Sequence, residues 1–453
     1  MKLRIGFVLP MAACLIGIAG TGLFACQSFA ATPGFSLPEL PQPDPGPVVT
    51  LADAVRQADS GNRSLLAVRE NVQIAAVKLQ SSRAVLIPSL YGSMNYTLRD
   101  SAPASGATGL TGQTGSRNSL SAGLALTVPL IAAQEWLNAD AARLGSELTE
   151  LQVEQTRQVL LYSVAEAYYQ AATALSLIEV YKVQFEAVRG HLELAEGRLS
   201  AGVGKITDVK SAQTDMVSAW TEIVKAGYAL ADARDALALL MGTDQLPMPV
   251  SRPAPMPEPV VTGDQLDSRW DMRVQRKQMT VLGKELKAGY MQFVPKLSGS
   301  FQYSVDVLGN SITQNNDWGA WAIGLALSVP LFDYKIYPTV RAKKAGILQA
   351  ELQMDDIRAQ GSQKVREGLR NLQKFEKLVG AATTKAALAD DLLSLAEADY
   401  ANGTGLAINV TDARRTSQAA HVELTTVTFE LDMGRLALNR ELGIDISGVL
   451  NGR

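Results

Sequence analysis

The amino-acid sequence predicts a duplicated α+β membrane protein, each half built as helix, β-hairpin, very long helix and a further helix. Three observations predict it. Short motifs recur in the same order in both halves, each half carries segments of period-2 alternation, and each holds a stretch of helix formers too long for a globular domain.

The repeat is explicit. Gly123-Leu124-Ala125-Leu126-Thr127-Val128-Pro129-Leu130 returns as Gly324-Leu325-Ala326-Leu327-Ser328-Val329-Pro330-Leu331. Upstream, Ile87-Pro88-Ser89-Leu90-Tyr91-Gly92-Ser93 matches Val294-Pro295-Lys296-Leu297-Ser298-Gly299-Ser300, and Pro47-Val48-Val49-Thr50 matches Pro259-Val260-Val261-Thr262. Downstream, Ala201-Gly202-Val203-Gly204 corresponds to Asn402-Gly403-Thr404-Gly405. Four landmarks in one order mark two copies of about 200 residues. The boundaries follow: a proline-rich N-terminal segment at 31–50, repeat 1 at 51–246, a proline-rich linker at 247–262, repeat 2 at 263–443 and a tail at 444–453.

The hairpins, at about 89–128 and about 296–329, are read from alternation. Leu297, Gly299, Phe301, Tyr303 and Val305 form one row, with Ser298, Ser300, Gln302, Ser304 and Asp306 between them. Leu90, Gly92, Met94, Tyr96 and Leu98 behave alike, opposite Ser93, Asn95 and Thr97. The return strands are expected to run to Val128 and Val329, because Pro129 and Pro330 have no N–H to donate. The tips at 101–116 and 309–317 are polar and rich in Gly, Ser, Thr and Asn, as solvated loops are. Trp318, Trp321, Tyr91, Tyr96 and Tyr303 suit an aromatic belt at a membrane surface. Past the N-terminus, the longest apolar runs (120–133 and 321–332) contain proline and are shorter than the roughly 20 residues of a spanning helix. Any membrane crossing is therefore made by strands.

Residues 131–199 contain no proline, and residues 332–402 contain only Pro338. Both are rich in Ala, Leu, Glu, Gln, Lys and Arg. Roughly 68 helical residues extend about 100 Å. Glycine pairs then break each helix, at Gly202/Gly204 and Gly403/Gly405. The helices that follow carry seams of 3-4 spacing: Val209, Ala212, Met216, Ala219, Ile223, Ala226, Leu230, Ala233, Leu237 and Leu240 in the first. The second reads Val410, Ala413, Ser417, Ala420, Leu424, Val427, Leu431, Gly434 and Leu438. A 3.5-residue period keeps one stripe against a partner helix along a left-handed supercoil, and the small residues allow close approach.

The N-terminus reads as an export signal, with Lys2 and Arg4 ahead of an uncharged apolar run at 5–26. Cleavage after Ser28-Phe29-Ala30 gives a signal peptide of residues 1–30. The competing reading takes Leu23-Phe24-Ala25-Cys26 as a lipobox, which ends the signal at 25 and makes Cys26 a candidate lipidation site. Cys14 lies within the leader, so the mature chain has no disulfide.

Composition removes several function classes. A net charge of −3 and pI ≈ 5.7 do not suit nucleic acid, which requires a basic face. His191 and His421 are not equivalent in the two repeats, stand in no ligand-spaced cluster and read as solvated helix residues. Asp355-Asp356 and Asp390-Asp391 are adjacent pairs, which point apart on a helix. No metal, cofactor or enzyme chemistry is implied.

Two hairpins supply four strands, which cannot close a barrel, and open sheet edges are not tolerated in lipid. Membrane barrels have about eight strands or more, so membrane-embedded hairpins require an oligomer, whether dimer, trimer or tetramer. A surface-attached or periplasmic coiled-coil scaffold with soluble hairpins is the alternative.

The layout, the Val-Pro-Leu-Phe-Asp run at 329–333 and the Ala-Gly-Val-Gly-Lys-Ile-Thr-Asp-Val turn at 201–209 together resemble the TolC-type outer-membrane efflux protein family. The resemblance runs from about residue 50 to about residue 443. It implies a homotrimer embedded in outer-membrane lipid, with four strands from each of three chains making a twelve-stranded β-barrel. That barrel would continue into a twelve-helix coiled-coil α-barrel in the periplasm. It implies an exit duct of a tripartite efflux or secretion system, with a periplasmic adaptor and an inner-membrane pump as partners and no nucleic acid. The adaptor would meet the tips at Gly202, Val203, Gly204, Gly403 and Thr404. The family's two acidic gate rings fall on Asn409 and Asp412, so one ring here is an amide. Its latch of a Thr-Asp pair and a Tyr falls on Thr207, Asp208 and Tyr400, while the position of the latch Arg is Gly405. Asn62-Arg63 stands where the family has Asn-Pro.

Overall fold

The computed structural model describes residues 37–39, 45–99, 117–259, 265–308 and 319–450. The leader with Cys26, the two hairpin tips, Trp318 and the second Pro-Val-Val-Thr motif beyond Pro259 lie outside the described residues. The chain divides into residues 1–39 and 40–453, and every element below belongs to the second unit.

The first repeat begins with a short strand β1 (Val48–Val49), then α1 (Leu51–Gly61) and α2 (Arg63–Ala84). Asn62 separates these helices: its side chain accepts from Leu65 N at 2.9 Å as the N-cap of α2 and donates to Leu240 O at 2.8 Å. Arg63 takes the first helical position, where a proline would also have been tolerated. Strands β2 (Ser89–Arg99) and β3 (Arg117–Ile131) form the first hairpin, followed by α3 (Ala133–Ser200) and α4 (Ile206–Met241). Strand β4 (Met248–Pro249) in the linker pairs in parallel with β1. The second repeat follows a 3-10 turn at Gln265–Ser268, with α5 (Trp270–Tyr290) and a second 3-10 turn at Met291–Phe293. It continues with β5 (Lys296–Leu308), β6 (Ala320–Ser328), α6 (Ile336–Ala401), α7 (Ala407–Glu441) and α8 (Ile446–Leu450). Helices α3 and α6 have 68 and 66 residues. Pro338 sits in the first turn of α6, where its missing N–H costs no helical bond.

The hairpins fuse into one antiparallel sheet of order β2-β3-β5-β6. Its register sorts the side chains onto two faces. One cross-strand row joins Leu90, Leu126, Phe301 and Ile323, and the next joins Gly92, Leu124, Tyr303 and Trp321. The opposite face carries Tyr91, Ala125, Gln302 and Ala322, then Ser89, Thr127, Ser300 and Gly324. One face is thus continuously apolar and the other small or polar. Tyr91, expected in the aromatic belt, lies on the second face, away from Tyr303 and Trp321. Pro129, expected to end its strand, lies inside β3 opposite Ser298. It is accommodated because β2 pairs no further than Thr127 and because β3 is irregular between Pro129 and Ile131. Pro330 does lie beyond β6.

Beneath the sheet, α2 packs on α3, α3 on α5 and α5 on α6, the same order as the strands that adjoin them. Leu144 and Leu148 of α3 bury against Val281 of α5. Lys284 pairs with Asp140 at 2.5 Å, Lys277 with Glu147, and Lys343 with Glu285 at 3.2 Å. Among the described residues no helix is long and apolar enough to cross a membrane.

The largest core lies midway along α3. Ala54 and Val55 of α1, Tyr168 and Tyr169 of α3, Met241 of α4, Leu436 of α7 and Ile446 of α8 bury around it. The linker is stitched to this core through its backbone. Tyr168 donates its hydroxyl to Val49 O at 3.1 Å and accepts from Val250 N at 3.2 Å. The buried Arg234 donates to Pro247 O and Leu246 O, both at 2.9 Å, and Asp432 accepts from Met256 N at 3.0 Å. Proline removes donors from such a segment, so the remaining backbone groups find side-chain partners.

Past this core, α4 returns along α3 and α7 along α6. Val209, Ala212, Ala219, Ile223, Ala226, Leu230 and Leu237 are buried on α4, and Val410, Ala413, Ser417, Ala420, Val427 and Leu438 on α7. These are the 3-4 seam positions, and the remaining seam residues are half-buried.

Candidate functional site

Both long helices end in the same turn. Gly202 has φ 76° and Gly403 φ 79°, left-handed conformations in which a Cβ would be strained. Val203 N and Gly204 N both donate to Arg198 O, at 3.1 and 2.8 Å. Thr404 N and Gly405 N do the same to Asp399 O, at 3.0 and 2.9 Å. These bonds satisfy carbonyls that the helix end leaves open. The second glycine of each pair is fixed by space. A Cβ on Gly204 would stand 2.6 Å from Leu199 N, and one on Gly405 would stand 3.0 Å from Asp399 Cβ and Tyr400 N. A long cation does not suit that position. Val203, Gly202, Gly403 and Thr404 are exposed at the turns, with Ile206 and Leu406 beside them.

A guanidinium nevertheless reaches Tyr400, from the other repeat. Arg198, in the last turn of α3, donates to Tyr400 O at 2.6 Å and lies 4.6 Å over the centre of its ring. The two turns are therefore tied by a charge-assisted hydrogen bond and a cation–π contact. Tyr400 is 5% exposed, and its ring also stands 5.3 Å from that of His191, tilted by 54°. Thr207 is exposed and Asp208 half-buried in the first turn of α4, a favourable place for a carboxylate at a helix N-terminus. Among the described residues neither forms a side-chain hydrogen bond with Tyr400.

His191 was expected to be solvated, and it is buried. The reason is its place on α3, facing Tyr400 rather than water. Burial holds its imidazole below the ordinary value of 6.5, Arg414 pushes the same way, and Asp215, Glu397 and Asp208 oppose. His421 is open, with Nε2 3.0 Å from Asp390. Sequence reasoning also missed Asp215 of α4, which accepts from Thr411 Oγ1 at 3.1 Å and pairs with Arg415 at 2.8 Å on α7. These bonds also join the two repeats. Arg414, 4% exposed, pairs with Glu397 at 2.7 Å. The only sequence signals for these contacts were a cation in the last turn of α3 and a carboxylate between two seam positions.

Asn409 and Asp412 are exposed, one turn apart at the start of α7. Among the described residues no cation pairs with Asp412. No group of His, Cys, Asp and Glu among the described residues could hold a metal ion.

A family model described as outer membrane efflux protein matches residues 54–243 and 261–443. Outer membrane protein TolC of Vibrio cholerae is 24% identical over 416 residues, covering 87% of this chain and 90% of that protein. The solved structure of CusC superposes with a TM-score of 0.78 at 19% identity, over 91% of this chain and 99% of that one. The CmeC outer membrane channel of Campylobacter jejuni gives 0.77 at 17% identity, over 87% and 85%. At such identities the two structures establish the fold.

Proposed function

The chain belongs to the outer membrane efflux protein family, and from that premise we propose that three copies form the exit duct of a tripartite efflux or secretion system. It is an outer-membrane exit duct extending into the periplasm, and not an enzyme.

One observation carries the assembly. The four-stranded sheet exposes its apolar face and ends on two strands, β2 and β6, whose outer edges are unpaired among the described residues. Trp321, Ile323, Leu325 and Leu327 of β6 are 63–74% exposed, as are Leu90, Met94 and Tyr96 of β2 to 60–70%. Water does not tolerate such a face and lipid does not tolerate such edges, so pairing β6 of one copy with β2 of the next satisfies both. The helices repeat the pattern. Those at the outside of the rank, α2 and α6, expose Ile74 and Val77 on one and Leu348 and Leu352 on the other. These edges suit contact between neighbouring copies. A soluble scaffold would leave all this surface in water.

In this reading the glycine turns are the periplasmic tip that meets an adaptor, and an inner-membrane pump delivers cargo through it. Asp412 and Asn409 line the aperture there. Tyr400 belongs to a latch in which Arg198 replaces the cation that position 405 cannot carry, with Thr207 and Asp208 at its margin. The test is fractionation and sizing of the full chain. Heat-modifiable trimers in the outer membrane support the reading, and soluble monomers overturn it.

A further inference from the structure

Behind the two turns lies a histidine to which the duct reading gives no role. His191 sits about 14 Å before the end of α3, and it is 6% exposed. Every element packed against it presents a charged or titratable group. Helix α6 contributes Tyr400 and Glu397, α7 contributes Arg414, and α4 contributes Asp208 and Asp215. On α3 itself, Arg198 covers the ring of the same Tyr400.

Burial weighs most against a charged ring, and Arg414 adds to it. One of its nitrogens pairs with Glu397, while Nε and Nη1 are buried without a hydrogen-bond partner. A neutral imidazole therefore sits near a buried guanidinium that is already under-satisfied. Charging it would put a second cation in a buried site, and burying an unpaired charge is costly. Separation of the helices removes that cost by admitting water to the ring. The packed junction and a protonated His191 oppose each other.

We propose that His191 is a proton-operated release, whose protonation loosens the α3–α6–α7 junction and shifts the periplasmic end of the duct toward its open form. The proposal rests on the reading of the chain as an exit duct with the glycine turns at that end. The direction follows from linkage. A histidine held below its ordinary value of 6.5 stabilises the packed state fully above that value, and the contribution is lost as pH falls toward the lowered one. The junction is firm at neutral pH and loosens in mild acid. Asp412 is exposed and outside this cluster, so its effect on conduction is separable.

The test takes the full-length assembled protein from about pH 7.5 to about pH 5. Amide hydrogen exchange, corrected for its intrinsic pH dependence, is followed at residues 188–204 and 397–414, alongside conductance in planar bilayers. The wild type should lose protection in both segments and gain conductance in acid. His191→Gln, which cannot be charged, should abolish both changes. His191→Phe keeps an aromatic ring against Tyr400 and provides a second uncharged variant should the glutamine disturb packing. Equal acid-induced loss of protection in the wild type and either variant would overturn the proposal, as would a wild-type junction unmoved by acid. A histidine-dependent loss of protection in a protein that never conducts would support the release and overturn the duct reading.

Discussion

Replacing Ile323 with arginine puts a charge into the apolar face of the sheet, whereas replacing its neighbour Ala322 puts the same charge on the other face at the same depth. Ile323 is 72% exposed and stands in the row of Phe301, Leu126 and Leu90. Ala322 stands in the row of Gln302, Ala125 and Tyr91. An arginine facing lipid near the midplane of a β-barrel costs about 2–4 kcal/mol. Three copies in one barrel would cost about 6–12 kcal/mol if independent, which approaches the whole stability of about 5–15 kcal/mol typical of a folded protein. An arginine facing a water-filled lumen costs little by comparison. The assay is the fraction of heat-modifiable, folded trimer in isolated outer membranes. Ile323→Arg should lose most of it and Ala322→Arg should retain it. Equal survival of the two, or greater damage from Ala322→Arg, would refute the assignment of faces.

The aperture and the tip offer three more tests. Asp412→Ala should reduce cation selectivity and block by multivalent cations in single-channel recordings, while Asn409→Asp should strengthen both by adding a second carboxylate ring. Arg198→Ala removes the charge-assisted bond to Tyr400 O and the cation–π contact, a loss of about 1–3 kcal/mol, and should raise the resting conductance of the duct. A cysteine at Val203 or Thr404 should cross-link to the adaptor and resist labelling from outside intact cells. Labelling from outside would mean that the turns do not lie in the periplasm.

Much of the fold was legible because it rests on local rules. The alternation of Leu297, Gly299, Phe301 and Tyr303 marks a strand whatever it pairs with, and the long runs of helix formers mark α3 and α6. The motif pair around Pro129 and Pro330 made the duplication visible. What stayed hidden depends on partners distant in sequence. Pro129 is tolerated within β3 because β2 stops at Thr127, a register that no single segment encodes. Tyr400 meets Arg198 and His191 across the two repeats, so neither the burial of that histidine nor the guanidinium that reaches Tyr400 could be read from either repeat alone. The linker behaves alike: its prolines announce a break, but its hold on Arg234, Tyr168 and Asp432 is tertiary.

The central claim is that this chain closes its sheet only by joining two further copies, and that the closed barrel conducts. It is tested most directly by light scattering on the detergent-purified full-length protein, followed by reconstitution of the same sample in planar bilayers. The account predicts three chains per particle and discrete conductance steps. Particles of one chain, or three-chain particles that leave the bilayer insulating, would contradict it.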